Sequence, residues 1–291
     1  MTYDEMLQQL KDLNESQDTD LIALPHCSNL MHQLEKRKAS DLNLYNSIFP
    51  VYLKTRTVEY LGDTQEYIER LTGTVNDYMN LYWPPANNPF SHQSDFTSSI
   101  IPEMLCTLFG TIIKETGIDG LEVSAEKDLT IECTFDISDG GVIKYKNKRV
   151  DVAVVMPCPL NFNGQESVLP VPLVAIECKT NLDKNMLSGI EQSVSDLKKT
   201  FPECYYYVVS ELSDFDVKKS NYASSGINEI YILRKQKRGT VRNNPNQRNL
   251  IHTNLLCELS DNLANGLRQM GVESVDLNTR MQNGKLIGRG Q

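Results

Sequence analysis

Glu177, Cys178 and Lys179 close an apolar run, Val171 to Ile176, and Asp151 opens another, Val152 to Met156. Side chains alternate along a strand, so Glu177 and Lys179 project to one face and Cys178 to the other. If the two runs are neighbouring strands, two carboxylates and an ammonium meet at one end of a sheet. A small number of carboxylates suits a hard, oxygen-ligated cation, Mg2+. Such an ion activates water and offsets the charge that develops as a phosphodiester is attacked. The spacing therefore points to metal-dependent phosphodiester hydrolysis, with Asp151 and Glu177 as metal ligands. Lys179 would orient the water or neutralise the phosphate.

A Glu-x-Lys triplet is short, and charged surface strands produce it readily. Here it is the only one in the chain and it ends the most apolar strand candidate, which is not the setting of a solvated face. The plain alternative is an ion pair at a strand terminus. For Asp151 that alternative has a named partner, Arg149, two residues earlier.

The elements that must position these groups can be read from periodicity. Residues 1 to about 95 are predicted helical, with Tyr67, Ile68, Leu71, Val75, Tyr78, Met79 and Tyr82 at broadly helical spacing. The proline-rich segment Trp83 to Pro89 cannot continue a helix and sets a boundary there. The chain is divided accordingly into an N-terminal helical region, 1–95, and a second domain, 96–291. In the second part, adjacent apolar pairs from Ile100 to Ile113 predict an amphipathic helix that starts near Ser98 or Ser99 and ends near Gly117. Strands are predicted at Leu129–Phe135, Gly141–Tyr145, Arg149–Met156 and Val171–Lys179, with turns at Asp139–Gly141 and Asn161–Gln165. A helix from Met186 to Phe201, a strand at Tyr205–Val209, another at Ile227–Leu233 and a closing helix over Leu250–Met270 complete an α/β chain.

The order helix, three-stranded meander, helix, strand, with Asp151 and Glu177-Cys178-Lys179 on its later strands, resembles the core of the PD-(D/E)xK nuclease superfamily over about residues 98–210. The continuation after Glu177 is similar to type II restriction endonucleases, in particular to subunits of BbvCI-like enzymes that cut an asymmetric site. The resemblance implies a restriction-endonuclease-like fold, Mg2+ as cofactor and double-stranded DNA cut at a specific sequence. It implies a homodimer, or a heterodimer with a related subunit, because one active site cuts one strand. A glutamate on the first core helix often joins the metal site in that superfamily, and Glu103 occupies the corresponding place, although an acid in a first turn is also favoured by the helix dipole. Two departures stand out: Val150 rather than proline precedes Asp151, and 25 residues separate Asp151 from Glu177.

Two basic groups are candidates for holding DNA. Arg234, Lys235, Lys237, Arg238, Arg242 and Arg248 lie in a stretch without acids, interleaved with asparagines that can read base edges. Lys144, Lys146, Lys148 and Arg149 lead into Asp151 and would clamp the backbone beside the metal. A solvated loop and a charged edge strand that resists aggregation are the competing explanations. A net charge of −9 argues against indiscriminate nucleic-acid binding.

Seven cysteines without a Cys-x-x-Cys and four histidines without ligand spacing indicate neither a zinc site nor a disulfide framework. Serine-hydrolase and Walker-type motifs are absent. No basic leader precedes an apolar segment, and no apolar stretch reads as long enough to span a bilayer, which predicts a cytoplasmic chain without membrane contact. Two other functions fit the same fold: a non-catalytic DNA-binding or assembly protein, and a repair or recombination nuclease.

Overall fold

The computed structural model describes residues 1–16, 24–36, 41–83, 90, 95–117, 119–136, 142–162, 164–214 and 225–271. Helices α1 (Tyr3–Ser16), α2 (Pro25–Glu35), α3 (Leu42–Arg56) and α4 (Thr64–Leu81) come first. A short turn of helix, α5 (Asp95–Ser98), leads into α6 (Ile100–Thr116), which Gly117 stops with a left-handed φ of 65°. Three long strands follow, β1 (Glu122–Asp136), β2 (Val142–Phe162) and β3 (Gln165–Leu182). Then come α7 (Lys184–Thr200), β4 (Tyr205–Ser213), β5 (Glu229–Ile232), the short α8 (Arg238–Asn243) and α9 (Thr253–Gly271).

The five strands form one sheet in the order β1-β2-β3-β4-β5. β1, β2 and β3 are an antiparallel meander, whereas β4 runs parallel to β3 and β5 parallel to β4. The helix–meander–helix–strand order expected from the sequence is thus present. Two predicted strands, Gly141–Tyr145 and Arg149–Met156, are one continuous strand, β2, because Lys146 and Lys148 alternate along an edge without interrupting the ladder. The Asn161–Gln165 turn is a hairpin in which Gly164 takes φ 80° and donates its N–H to Asn161 Oδ1. The expected Asp139–Gly141 turn and Pro84–Pro89 break lie outside the described residues.

Strand alternation gives the sheet two buried faces. Val152, Val154, Val174, Ile176, Tyr207 and Val209 pack toward α6, α9 and the N-terminal helices. Ala153, Val155, Ala175, Tyr206 and Val208 face α7, which presents Leu187, Ile190, Val194 and Leu197. Each of those four buried side chains contributes roughly 2 kcal/mol relative to exposure, enough to fix α7 across the sheet. Asp183 caps this helix by accepting from Met186 N, 2.9 Å away. The end of β3 that carries Glu177 and Lys179 is thereby joined through Asp183 to a helix fixed on the sheet.

The helices of residues 1–95 share one continuous core with α6 and the sheet. Among the described residues the core shows no break at the division expected near residue 95. One expectation is corrected: the segment Asp95–Glu115 is long and apolar enough to pass as a membrane span, but 89% of that window is buried inside the protein. It is buried on most sides because helices pack on one side of it and the sheet on another, and its polar stripe Glu103, Thr107 and Thr111 turns toward α3 and α4.

Candidate active site

Asp151 and Glu177 stand where the β2–β3 ladder opens. Backbone pairing runs down to Val152 opposite Ile176, and beyond it the Asp151 carboxylate takes over. Its Oδ2 accepts the Cys178 N–H at 2.6 Å. A side chain thereby satisfies a backbone donor that a regular strand would have given to a carbonyl, and the Asp151 carboxylate is drawn against β3. On the neighbouring strand β1, Glu126 has a positive φ of 49°, so the sheet is irregular on that side too.

Glu177 and Lys179 project to the same side, as their spacing requires. Lys179 Nζ lies 2.9 Å from Glu177 Oε1 and 3.5 Å from Asp151 Oδ2. The three side chains are 14%, 28% and 35% exposed for Glu177, Lys179 and Asp151 respectively, a position at the rim that solvent reaches. Glu177 Oε2 is buried and has no hydrogen-bond partner among the described residues. An unsatisfied buried carboxylate oxygen is costly, and such an atom is what a bound cation would complete.

Burial pulls the Lys179 pKa down, but the adjoining Asp151 and Glu177 carboxylates outweigh it and leave it above the ordinary lysine value. Lys179 is therefore a cation near neutral pH and donates rather than accepts. Cys178 points to the opposite face; burial, and then Asp151, raise its thiol well above the usual range, which makes it an inert hydrophobe. Tyr206, on β4 beside Ala175, has a buried hydroxyl without a partner among the described residues. Its pKa is raised by burial and then by Glu177 and Asp151. Sequence periodicity marked Tyr206 only as part of an apolar strand.

Glu103 does not join this group. On α6 it is 1% exposed and looks into the helical part of the core. Its Oε2 accepts from Cys27 N at 2.9 Å, and its Oε1 accepts from the Tyr52 hydroxyl at 2.8 Å and lies 3.5 Å from Arg56 Nη1. Both oxygens are engaged in tying α6 to α2 and α3. Among the described residues no cluster of three or more His, Cys, Asp or Glu gathers as a metal cage. Asp151 and Glu177 are two carboxylates, the number with which Mg2+ is commonly held alongside waters and substrate phosphates.

The expected DNA-binding residues divide. Arg149 does not pair with Asp151; it makes a two-point contact with Asp128 at 2.9 and 3.0 Å. Lys146 lies 3.6 Å from Glu132. The basic alternation of β2 is in this way matched by acids of β1, and of this set Lys144 is exposed and Lys148 half-buried.

The second group is split by burial. Arg234 is fully buried and Arg248 nearly so, and both hold Glu211 Oε2, at 2.8 and 2.7 Å. Arg234 is corrected to a structural ion partner, because a charge taken out of water must be paired, and Arg248 joins it on Glu211 through Nη2. Burial would raise the Glu211 pKa, but the two arginines keep it below its ordinary value. Lys235, Lys237, Arg238 and Arg242 remain exposed. Glu211, an acid inside the Tyr-rich strand, is the residue that sequence reasoning missed; an acid in a run of buried positions is the signal for a buried partner.

Arg238 and Arg242 on α8 border a cleft of about 470 Å3 whose lining also includes Lys179 and Arg248. The chain thus brings its basic segment to the same opening as Lys179, from 59 residues away for Arg238.

Residues 159–254 match the Bpu10I restriction endonuclease family. The fold is that of a chain in the native BbvCI A2B2 tetramer, with a TM-score of 0.60, 23% identity, and coverage of 84% of this chain and 95% of that one. No curated protein sequence matches the chain.

Proposed function

We propose that this chain is a subunit of a type II restriction endonuclease that hydrolyses phosphodiester bonds of double-stranded DNA at a specific sequence with Mg2+. The observation that carries the reading is the meeting of Asp151, Glu177 and Lys179 at the opened sheet end, with one Glu177 oxygen left unsatisfied. The family match over residues 159–254 includes Glu177 and Lys179 and supports the same reading.

Asp151 and Glu177 are the residues that would hold Mg2+. When bound, the ion would supply charge to the phosphate oxygens and lower the pKa of an attacking water. Lys179 stays protonated, so its role is to orient the water or to neutralise the phosphate. The chain's own bases at the site are then the carboxylates, with Asp151 the more exposed of the two. The Cys178 N–H fixes the Asp151 carboxylate in place, so that little ordering remains to be done when substrate arrives. Arg238 and Arg242 would hold the phosphate backbone beside the cut.

A chain with one such centre cuts one strand, so duplex cleavage needs a second subunit, identical or related. The A2B2 arrangement named for the BbvCI tetramer supports assembly with a related subunit. Incubation with linear DNA of mixed sequence, with and without Mg2+, tests the function. The whole enzyme should yield discrete fragments or site-specific nicks only with the metal. Lys179→Ala should lower the cleavage rate by at least about a hundredfold while DNA retention persists. Cutting that survives this substitution would remove the assignment; retention without cutting by the unaltered enzyme would favour a non-catalytic DNA-binding protein.

A further inference from the structure

The cleft beside Lys179 is larger and more apolar than a backbone phosphate requires. Its volume, about 470 Å3, falls among pockets that enclose small-molecule ligands, roughly 300–1,000 Å3. Met79, Trp83 and Met186 form flat or deformable apolar wall, whereas Arg238 and Arg242 stand at its edge.

Two polar atoms in this lining are buried without partners among the described residues. One is a donor, Nη1 of Arg248, whose side chain is 7% exposed. The other is an acceptor, Oδ1 of Asn181, which is 8% exposed. Arg248 Nη2 is committed to Glu211, and Asn181 Nδ2 to Asp214 Oδ2 at 3.2 Å. Two unlike unsatisfied groups in the lining of one cleft call for a ligand that both donates and accepts. The guanidinium of Arg248 also lies 4.4 Å over the Trp83 ring, which presents a flat cationic and aromatic surface.

We propose that the cleft takes a single unstacked nucleotide next to the scissile phosphate. Its base lies against the Trp83–Arg248 and methionine wall and exchanges hydrogen bonds with Asn181 Oδ1 and Arg248 Nη1, and its phosphate meets Arg238 and Arg242. A bare phosphate would leave the apolar wall and the Asn181 acceptor unused. A base has the edge and the π-face that match them. This inference rests on the nuclease reading for the identity of the polymer, but the pocket itself is defined by residues other than Asp151 and Glu177.

Trp83 is the sole tryptophan of the chain, so its fluorescence reports occupancy of this cleft directly. Deoxynucleoside 5′-monophosphates, the corresponding nucleosides and inorganic phosphate are titrated into the full-length protein without metal, with red-edge excitation to avoid base absorbance. The nucleotides should change Trp83 emission saturably, and phosphate at the same concentrations should not. Asn181→Ala and, separately, the exposed Arg242→Ala should each weaken nucleotide binding about five- to tenfold. Absence of any change, an equal response to phosphate alone, or wild-type titrations in both variants would overturn the inference. No cleavage is measured, so this failure is distinct from survival of cutting in Lys179→Ala.

Discussion

Glu103 and Glu177 are both acids that enter a largely apolar part of the protein, and they are treated in opposite ways. Glu103 sits between three helices with a tyrosine hydroxyl, a backbone N–H and Arg56 around it. Its pKa is nevertheless raised, because burial outweighs these partners. Glu177 stands at the rim with Lys179 on one oxygen and nothing described on the other. A carboxylate that is fully hydrogen-bonded ties elements together, whereas one left incomplete beside a second acid and a cation is available for chemistry.

The largest effect is expected at the helical end. Glu103→Gln leaves Arg56 buried without its counter-charge and should destabilise the fold by roughly 3 kcal/mol, measured by denaturant unfolding. DNA cleavage below the melting transition should stay close to that of the unaltered enzyme. A variant as stable as wild type would mean that the Arg56 contact is not the organising one.

The same polar cluster yields a pH dependence. His26 is buried between Ser99 and Tyr78, and burial lowers its pKa to about 3, with a smaller lowering from Arg56 set against a Phe96 backbone hydrogen bond. The unfolded chain binds this proton near pH 6.5, so the stabilising effect of a neutral His26 is complete above about 6.5 and is lost as pH falls toward 3. The slope approaches about 1.4 kcal/mol per pH unit within that window. The raised Glu103 pKa acts in the other sense, so the difference between wild type and His26→Gln is the informative quantity. A difference that does not vary between pH 6.5 and 4 would show that His26 is solvated.

Smallest of all is the expected effect of Arg149→Ala. Its partner Asp128 is on the solvent side, and such pairs contribute little. No measurable change in melting temperature is expected, and cleavage should fall only if this strand also touches DNA. A large loss of stability would place Arg149 in a structural role like that of Arg234.

Much of this arrangement was legible from the chain. Gly117 stops α6 in the left-handed region as its chemistry dictates, and Pro202 follows the end of α7; Ser99 precedes α6 but its hydroxyl donates to Phe96 O instead of capping the helix. Strand alternation was enough to bring Glu177 and Lys179 to one face. The continuity of β2 was hidden because its exposed first half carries charges on an edge, and periodicity does not distinguish such a strand from a loop. The placement of Glu103 was not legible because α6 carries Glu103, Thr107 and Thr111 as a polar stripe, and periodicity alone does not say that this stripe turns toward Tyr52, Arg56 and Tyr67 rather than toward the sheet. The basic segment was legible as a run of charge. The division of its arginines between Glu211 and solvent was not, since it arises from contacts between residues 211, 234 and 248 that only the folded chain brings together.

The most direct measurement is cleavage of a mixed-sequence plasmid by Glu177→Gln and Glu103→Gln side by side, in Mg2+, at a temperature where circular dichroism shows both folded. The predicted result is that Glu177→Gln retains its melting temperature and loses cutting by about a hundredfold or more, while Glu103→Gln melts earlier and still cuts. Cutting by Glu177→Gln at the wild-type rate, or its loss in folded Glu103→Gln, would contradict the assignment of the site to Asp151, Glu177 and Lys179.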